Sequence, residues 1–131
     1  AGHPRPLAEY RDGRIRELDA ACPVLGVARH FDGSEVCVDL REVHRLLLYT
    51  DGLLEARHRD SEQECGDERV AAVYGQVVQN PGLPNKADEL LNVLESEGYD
   101  LSGDDCTAIS IHMLDPMKIV LEQTEMIGDL E

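Results

Sequence analysis

The order of segments along the chain predicts an α+β fold. Strand-like segments come first, two segments with helical spacing follow, and a strand-like segment returns after them. This order differs from the regular strand–helix alternation that builds parallel α/β sheets. With 131 residues, the chain is long enough for one domain or for a large part of one.

The first predicted element is a β-hairpin. Residues 6–10 and 14–18 flank an Asp-Gly pair, and such a pair between two strand-like segments favours a tight turn. Residues 35–40 then alternate polar and apolar side chains, which predicts a half-buried strand. Residues 46–49 form a continuous apolar run, which predicts a strand buried on both faces.

Two helices and a last strand are predicted in the second half. Residues 67–79 and 86–96 each carry apolar side chains at helical spacing, and the turn-forming residues 102–105 precede a strand at residues 106–113. The apolar positions of the two helices are Val70, Val73, Tyr74, Val77, Leu90, Leu91 and Leu94. The tail, residues 115–131, is treated as separate; it could be a strand, a partner-binding extension or the start of another unit.

The chain is strongly acidic. Twelve Lys and Arg residues stand against 27 Asp and Glu residues, which gives a formal net charge of −15. Such a field repels phosphate backbones and anionic lipid, so neither nucleic-acid nor membrane binding is expected. It favours a divalent cation or a basic protein partner, although a well-solvated acidic surface without such a role explains the charge equally well.

The cysteines indicate a reducing compartment. Cys22, Cys37, Cys65 and Cys106 lie far apart, without the closely spaced pairs that structural zinc sites use. We therefore interpret them as small buried side chains rather than disulfides or metal ligands. No apolar run is long enough to span a membrane. The predicted location is the cytoplasm.

Two acidic turns follow or precede the apolar strands. Asp51-Gly52 comes directly after the apolar run, and Asp104-Asp105 comes just before the last strand. Carboxylates at strand ends are held by a rigid sheet and stay open to water, and Mg²⁺ takes only one or two protein carboxylates besides water. Spacing alone, however, favours ordinary turns, in which Asp and Gly are common without any function.

Four sequence blocks occur in a characteristic order. They are AGHPRPL at residues 1–7, LDAACPVLGV at residues 18–27, LLYTDGLLEA at residues 47–56 and DDCT at residues 104–107. With the helix start GDER at residues 66–69, they resemble the stage II sporulation protein E branch of the bacterial protein phosphatase 2C family, whose members regulate sigma factors. The resemblance covers nearly the whole chain but only about half of the family's domain.

The resemblance implies a metal-dependent serine/threonine phosphatase. Asp51 and Asp104 correspond to metal-binding carboxylates, Asp105 and Gly52 to residues that support them, and Glu55 to an acidic residue that holds waters or a further ion. The implied cofactor is Mn²⁺ or Mg²⁺, which activates a water for attack on phosphoserine or phosphothreonine without a covalent intermediate. The implied substrate is a phosphorylated regulatory protein of the anti-anti-sigma type. The implied fold is a pair of packed antiparallel β-sheets flanked by helices.

One family block is missing from the sequence. The first half of the family's domain contains an Asp-Gly-His-Gly block whose Asp bridges two metal ions, and no such block is present here. We therefore expect this chain to be the C-terminal half of a domain, weakly active or inactive alone, and to self-associate through exposed strand edges. The alternative function is a non-catalytic pseudophosphatase or docking module in sigma-factor regulation.

Overall fold

A four-stranded antiparallel sheet is the main feature of the computed structural model, which describes residues 3–20, 24, 26–27, 29–30, 33–81 and 85–115. The strand order is β2–β1–β3–β6, so β1 and β3 are the inner strands of this sheet. The strands are β1 (Leu7–Tyr10), β2 (Ile15–Glu17), β3 (Val43–Tyr49) and β6 (Ala108–His112). This arrangement confirms the predicted α+β class with antiparallel sheets and flanking helices.

The predicted hairpin is formed by β1 and β2. The turn between them places Gly13 at φ 86°, a conformation that glycine adopts without steric cost. The backbone N–H of Tyr10 donates to the carbonyl of Arg14 at 2.8 Å, and Asp12 accepts from the Arg14 N–H at 3.0 Å. The Asp-Gly pair therefore turns the chain as its chemistry predicts.

Both predicted helices are present, with small shifts at their ends. Helix α2 spans Gly66–Gln79 and begins one residue earlier than predicted, after Cys65. Helix α3 spans Lys86–Ser96, as predicted. The Asn85 side chain caps α3 by accepting hydrogen bonds from two backbone N–H groups of its first turn. A short helix α1, Asp51–Leu54, replaces the simple turn expected after the apolar run.

The core lies between the two long helices and one face of the sheet. Leu47 and Tyr49 of β3 are buried there, together with Leu7 of β1. Six of the seven side chains that the helical spacing predicted are fully or almost fully buried, namely Val70, Val73, Tyr74, Val77, Leu90 and Leu94. Leu91 is only half-buried and packs against the edge of the core. Helical periodicity therefore identified most of the side chains that the two helices contribute to the core.

A second, two-stranded sheet was not predicted. It consists of β4 (Arg57–His58) and β5 (Tyr99–Asp100), which pair antiparallel. Each strand has only two residues, too few for a pattern of alternation to show in the sequence. This small sheet connects the segment after α1 to the segment after α3, and it forms one wall of the site described below.

Three sequence predictions are wrong or only partly right. Residues 35–40 form no strand, since their apolar side chains Val36 and Leu40 are 41% and 54% exposed and no neighbouring strand pairs with them within the described residues. The strand β3 is fully buried on one face only, because Leu46 and Leu48 on the other face are half-buried. Of the described cysteines only Cys65 is buried, whereas Cys37 is exposed.

Some predictions fall outside the described residues. Cys22 and most of residues 21–25 belong to this group, as does the tail from residue 116 onwards. In the part of the chain that the structure describes, no helix has the length and apolar character needed to cross a membrane.

Candidate active site

Thr50 joins the two acidic turns that the sequence singled out. Its hydroxyl donates to the carbonyl of Asp105 at 2.6 Å and accepts from the Thr107 N–H at 3.0 Å. The Thr50 N–H donates to the Thr107 carbonyl at 3.0 Å, which extends the pairing of β3 with β6 by one step. The segments 50–52 and 104–107 are therefore brought side by side, although about fifty residues separate them in sequence.

Gly52 allows these two segments to approach closely. A Cβ atom at this position would lie 2.7 Å from the backbone carbonyl oxygen of Asp105, well inside van der Waals contact. Because the obstructing atom belongs to the backbone, it cannot rotate away as a side chain could. The glycine of the Asp-Gly pair is therefore required by packing against the second acidic turn.

Each of the two predicted metal ligands keeps an oxygen available. Oδ1 of Asp51 accepts from the Gly52 N–H at 3.1 Å, and Oδ1 of Asp104 accepts from the Asp105 N–H at 2.8 Å. Among the described residues, Oδ2 of either carboxylate accepts no hydrogen bond from the protein. Both side chains are exposed to solvent, so these oxygens are accessible to a cation.

Asp105 contributes to the site mainly through its backbone carbonyl. Its carbonyl accepts the Thr50 hydroxyl, and its exposed side chain lies next to Cys106. Burial raises the pKa of the Cys106 thiol, and the negative charges of Asp104 and Asp105 raise it further. The acidic turn therefore creates a negative local potential of the kind that attracts a cation.

A surface cavity of about 560 Å³ lies beside these turns. Gly52 and Asp104 line it, and so does Glu55, which the resemblance assigned to waters or a further ion. The structure thus brings Gly52, Glu55 and Asp104 to one cavity. Asp51 is the neighbour of Gly52 in the sequence but does not line the cavity.

The donors present suit a hard cation with few protein ligands. Asp51 and Asp104 offer carboxylate oxygens on adjacent segments, and Mg²⁺ or Mn²⁺ accepts such oxygens while keeping several waters. No group of three or more His, Cys, Asp or Glu side chains within the described residues could enclose a metal ion. Asp51 and Asp104 therefore offer a cation at most two carboxylates, and water would have to supply the rest of its coordination shell.

Sequence reasoning missed one segment of the cavity lining. This segment consists of Arg57, His58 and Arg59, from β4 and the residue that follows. They come directly after the LLYTDGLLEA block, so their position next to a candidate metal ligand was a usable signal. What the sequence concealed was the pairing of β4 with β5, which turns this segment back over the cavity.

Comparison with known proteins identifies the family. The family model described as Stage II sporulation protein E (SpoIIE) matches residues 1–114. No curated protein and no solved structure matches the chain. Because the family model covers most of the chain, the chain belongs to the SpoIIE family, a family of protein phosphatase 2C-like phosphatases.

Proposed function

We propose that this chain contributes the metal-binding half-site of a Mn²⁺- or Mg²⁺-dependent phosphatase that hydrolyses phosphoserine or phosphothreonine. The observation that carries the proposal is the Thr50 hydroxyl, which holds the Asp51 and Asp104 segments together beside an open cavity. Membership in a phosphatase family supports the same reaction class.

In this proposal Asp51 and Asp104 hold the cation through their available oxygens. When bound, Mn²⁺ or Mg²⁺ would supply activation of a water and stabilise negative charge on the phosphoryl group. Gly52 permits the close approach of the two segments, and Thr50 fixes their spacing. Glu55, which is exposed at the cavity, orders water molecules around the cation.

The reaction itself is a simple hydrolysis. The water oxygen forms a bond to phosphorus while the bond from phosphorus to the serine or threonine oxygen breaks. One water proton passes to the departing side-chain oxygen, so the products are a free hydroxyl and inorganic phosphate. No covalent phosphoenzyme is needed, since no nucleophilic side chain takes part in the step.

The proposed substrate is a phosphorylated regulatory protein of the anti-anti-sigma type, and the proposed location of the reaction is the cytoplasm. A protein substrate agrees with a cavity that opens at the surface beside exposed segments. The net charge of −15 favours a partner whose docking surface is basic outside the phosphorylated residue.

The test replaces the two carboxylates by amides. Asp51→Asn and Asp104→Asn should each remove nearly all Mn²⁺-dependent phosphate release and weaken Mn²⁺ binding in calorimetry, because an amide carries no charge for the cation. Asp60→Asn is the matched control, since Asp60 is exposed, lies near the cavity and does not line it. Assays use the longest natural protein that contains this chain. Full activity in both variants would refute the assignment.

A second candidate is a non-catalytic docking module. One observation favours it, namely the formal net charge of −15, which suits docking to a basic partner without any metal. Measuring the affinity for the protein partner with and without Mn²⁺ separates the two candidate functions. A docking module would bind its partner equally well with and without Mn²⁺, and Asp104→Asn would leave that affinity unchanged.

A further inference from the structure

Part of the cavity lining is a hydrogen-bonded hairpin that carries Arg57, His58, Arg59 and Glu62. The His58 N–H donates to the Gln63 carbonyl and the Glu62 N–H donates to the His58 carbonyl, each at 2.9 Å. The Arg59 N–H donates to the Gly98 carbonyl at 3.0 Å, which continues the pairing of β4 with β5. The backbone that carries Arg57 and Arg59 is thus fixed before any ligand arrives.

The imidazole of His58 locks this hairpin to the end of α3. Its Nδ1 lies 3.2 Å from the Asp60 N–H, which can only donate, so Nδ1 accepts and the proton sits on Nε2. Nε2 in turn donates to the Glu97 carbonyl at 2.9 Å. The ring also packs edge-on against Tyr99. With both nitrogens engaged, His58 positions its arginine neighbours rather than taking part in proton transfer.

Neither arginine of this hairpin is held by a strong ion pair. Arg57 lies 3.7 Å from Glu62 and 3.8 Å from Glu64, and its side chain is 61% exposed, so these pairs are weak. Arg59 makes no ion pair within 4 Å among the described residues. By contrast, Arg69 and Arg45 are closely paired with Glu97 and Glu9.

The cavity is lined by several carboxylates, so an anion can bind there only if positive groups offset their charge. Four carboxylates line it, those of Glu55, Glu62, Asp100 and Asp104. A phosphate monoester is a dianion and would be repelled by them. A divalent cation held at Asp104 would offset two of these charges, and the guanidinium groups of Arg57 and Arg59, which line the same cavity, offset the other two. Guanidinium groups also match phosphate oxygens through paired N–H donors.

We propose that Arg57 and Arg59 form a phosphate clamp that binds the phosphoryl group of the substrate in the cavity that Asp104 also lines. This proposal rests on the proposed phosphatase function and names the residues that recognise the substrate there. Arg59 carries the larger share, because among the described residues it has no ion pair within 4 Å to give up, only a longer-range attraction to Asp100.

The experiment compares Arg59→Gln and Arg57→Gln with Arg16→Gln. Arg16 is an exposed arginine on β2 that does not line the cavity, so its replacement removes the same charge elsewhere. The probes are inorganic phosphate, titrated by calorimetry with Mn²⁺ present, and p-nitrophenyl phosphate as substrate. Arg59→Gln should weaken phosphate binding about tenfold and raise KM by a similar factor, as expected for one charge-assisted hydrogen-bonded contact.

The remaining outcomes distinguish this proposal from the previous one. Mn²⁺ affinity should be unchanged in both arginine variants, whereas Asp104→Asn should lower it. Arg59→Lys should recover part of the phosphate affinity, since it restores charge without the paired donors. Phosphate affinity equal to wild type in the Arg57→Gln, Arg59→Gln double variant overturns the clamp, even if Asp104→Asn abolishes activity. Wild-type protein that binds Mn²⁺ but not phosphate overturns it as well.

Discussion

The two faces of the four-stranded sheet differ sharply in how they are covered. On one face Leu47 and Tyr49 are buried beneath α2 and α3. On the other face the same strand presents Leu46 and Leu48, which are only half-buried, and the edge strand β6 presents Ile109 and Ile111, which are 52% and 39% exposed. Strand β3 therefore carries apolar side chains on both faces, and β6 adds apolar side chains to the face that is poorly covered.

This difference shows that composition and packing are separate properties of a strand. An apolar run predicts that both faces avoid water, but it does not say which element covers each face. The helices of this chain cover one face, and among the described residues no second layer covers the other. Stability should therefore depend on one face, whereas association should depend on the other.

The largest expected effect comes from truncating the packed face. Leu47→Ala should lower the free energy of unfolding by about 2–5 kcal/mol, because it leaves a cavity in the core. Leu48→Ala is the matched control, since it removes the same atoms from the next residue on the half-covered face, at a cost of about 1 kcal/mol. Urea denaturation of both variants checks the prediction. Equal losses would show that both faces are packed alike.

The next largest effect on stability is expected at Gly52, which lies just after β3 and packs against the second acidic turn. Gly52→Ala should destabilise the fold by about 1–3 kcal/mol, since its Cβ would collide with the Asp105 carbonyl. Gly103→Ala is the control, because a Cβ there meets no atom within 4 Å. Chemical denaturation and Mn²⁺ titration together test this. A Gly52→Ala protein as stable as Gly103→Ala would contradict the close approach.

A smaller effect on stability, but a clear one on association, is expected at the open face. The double variant Ile109→Thr, Ile111→Thr keeps β-branched side chains and should change stability by less than about 1 kcal/mol. It should weaken the self-association expected of an apolar edge strand, as measured by sedimentation. Val36→Thr, Leu40→Thr provides exposed apolar controls outside the sheet. A monomeric wild type would contradict this prediction.

The smallest effect is on pH dependence. Burial lowers the pKa of His112 below 6.5, and Arg45 and His44 lower it further. Because the unfolded chain then binds the proton more tightly, stability should fall as the pH drops below about 6.5, and His112→Gln should reduce this slope. Hydrogen bonding to Arg41 lowers the pKa of Asp39 to about 2, so that carboxylate does not contribute between pH 7 and 5. Denaturation midpoints across that range measure the slope.

Much of the fold was predictable because its signals are local. The Asp-Gly turn, the spacing of Val70, Val73 and Tyr74, and the extent of α3 all depend on neighbours within a few residues. The strand predicted at residues 35–40 failed because alternation indicates a strand only where a neighbouring strand pairs with it, and pairing is a long-range property. The pairing of β4 with β5 went unpredicted for the same reason.

The candidate site was only partly predictable. The carboxylates of Asp51 and Asp104 could be selected because they stand at strand ends in recognisable blocks. The contacts that join them, through Thr50 and the close approach at Gly52, exist only once β3 and β6 are paired. The position of Arg57 and Arg59 at the cavity depends on the pairing of β4 with β5, which no local sequence pattern predicts.

The Thr50 hydroxyl also couples ligand binding to folding. Since it connects segments that are distant in sequence, the two carboxylates meet only when the central strands have paired. An unfolded chain presents them separately and should hold a divalent cation far less well. Adding Mn²⁺ should consequently raise the melting temperature, and the rise should grow with the logarithm of the Mn²⁺ concentration once it exceeds the dissociation constant. Thermal shift is therefore a readout of the site that needs no substrate.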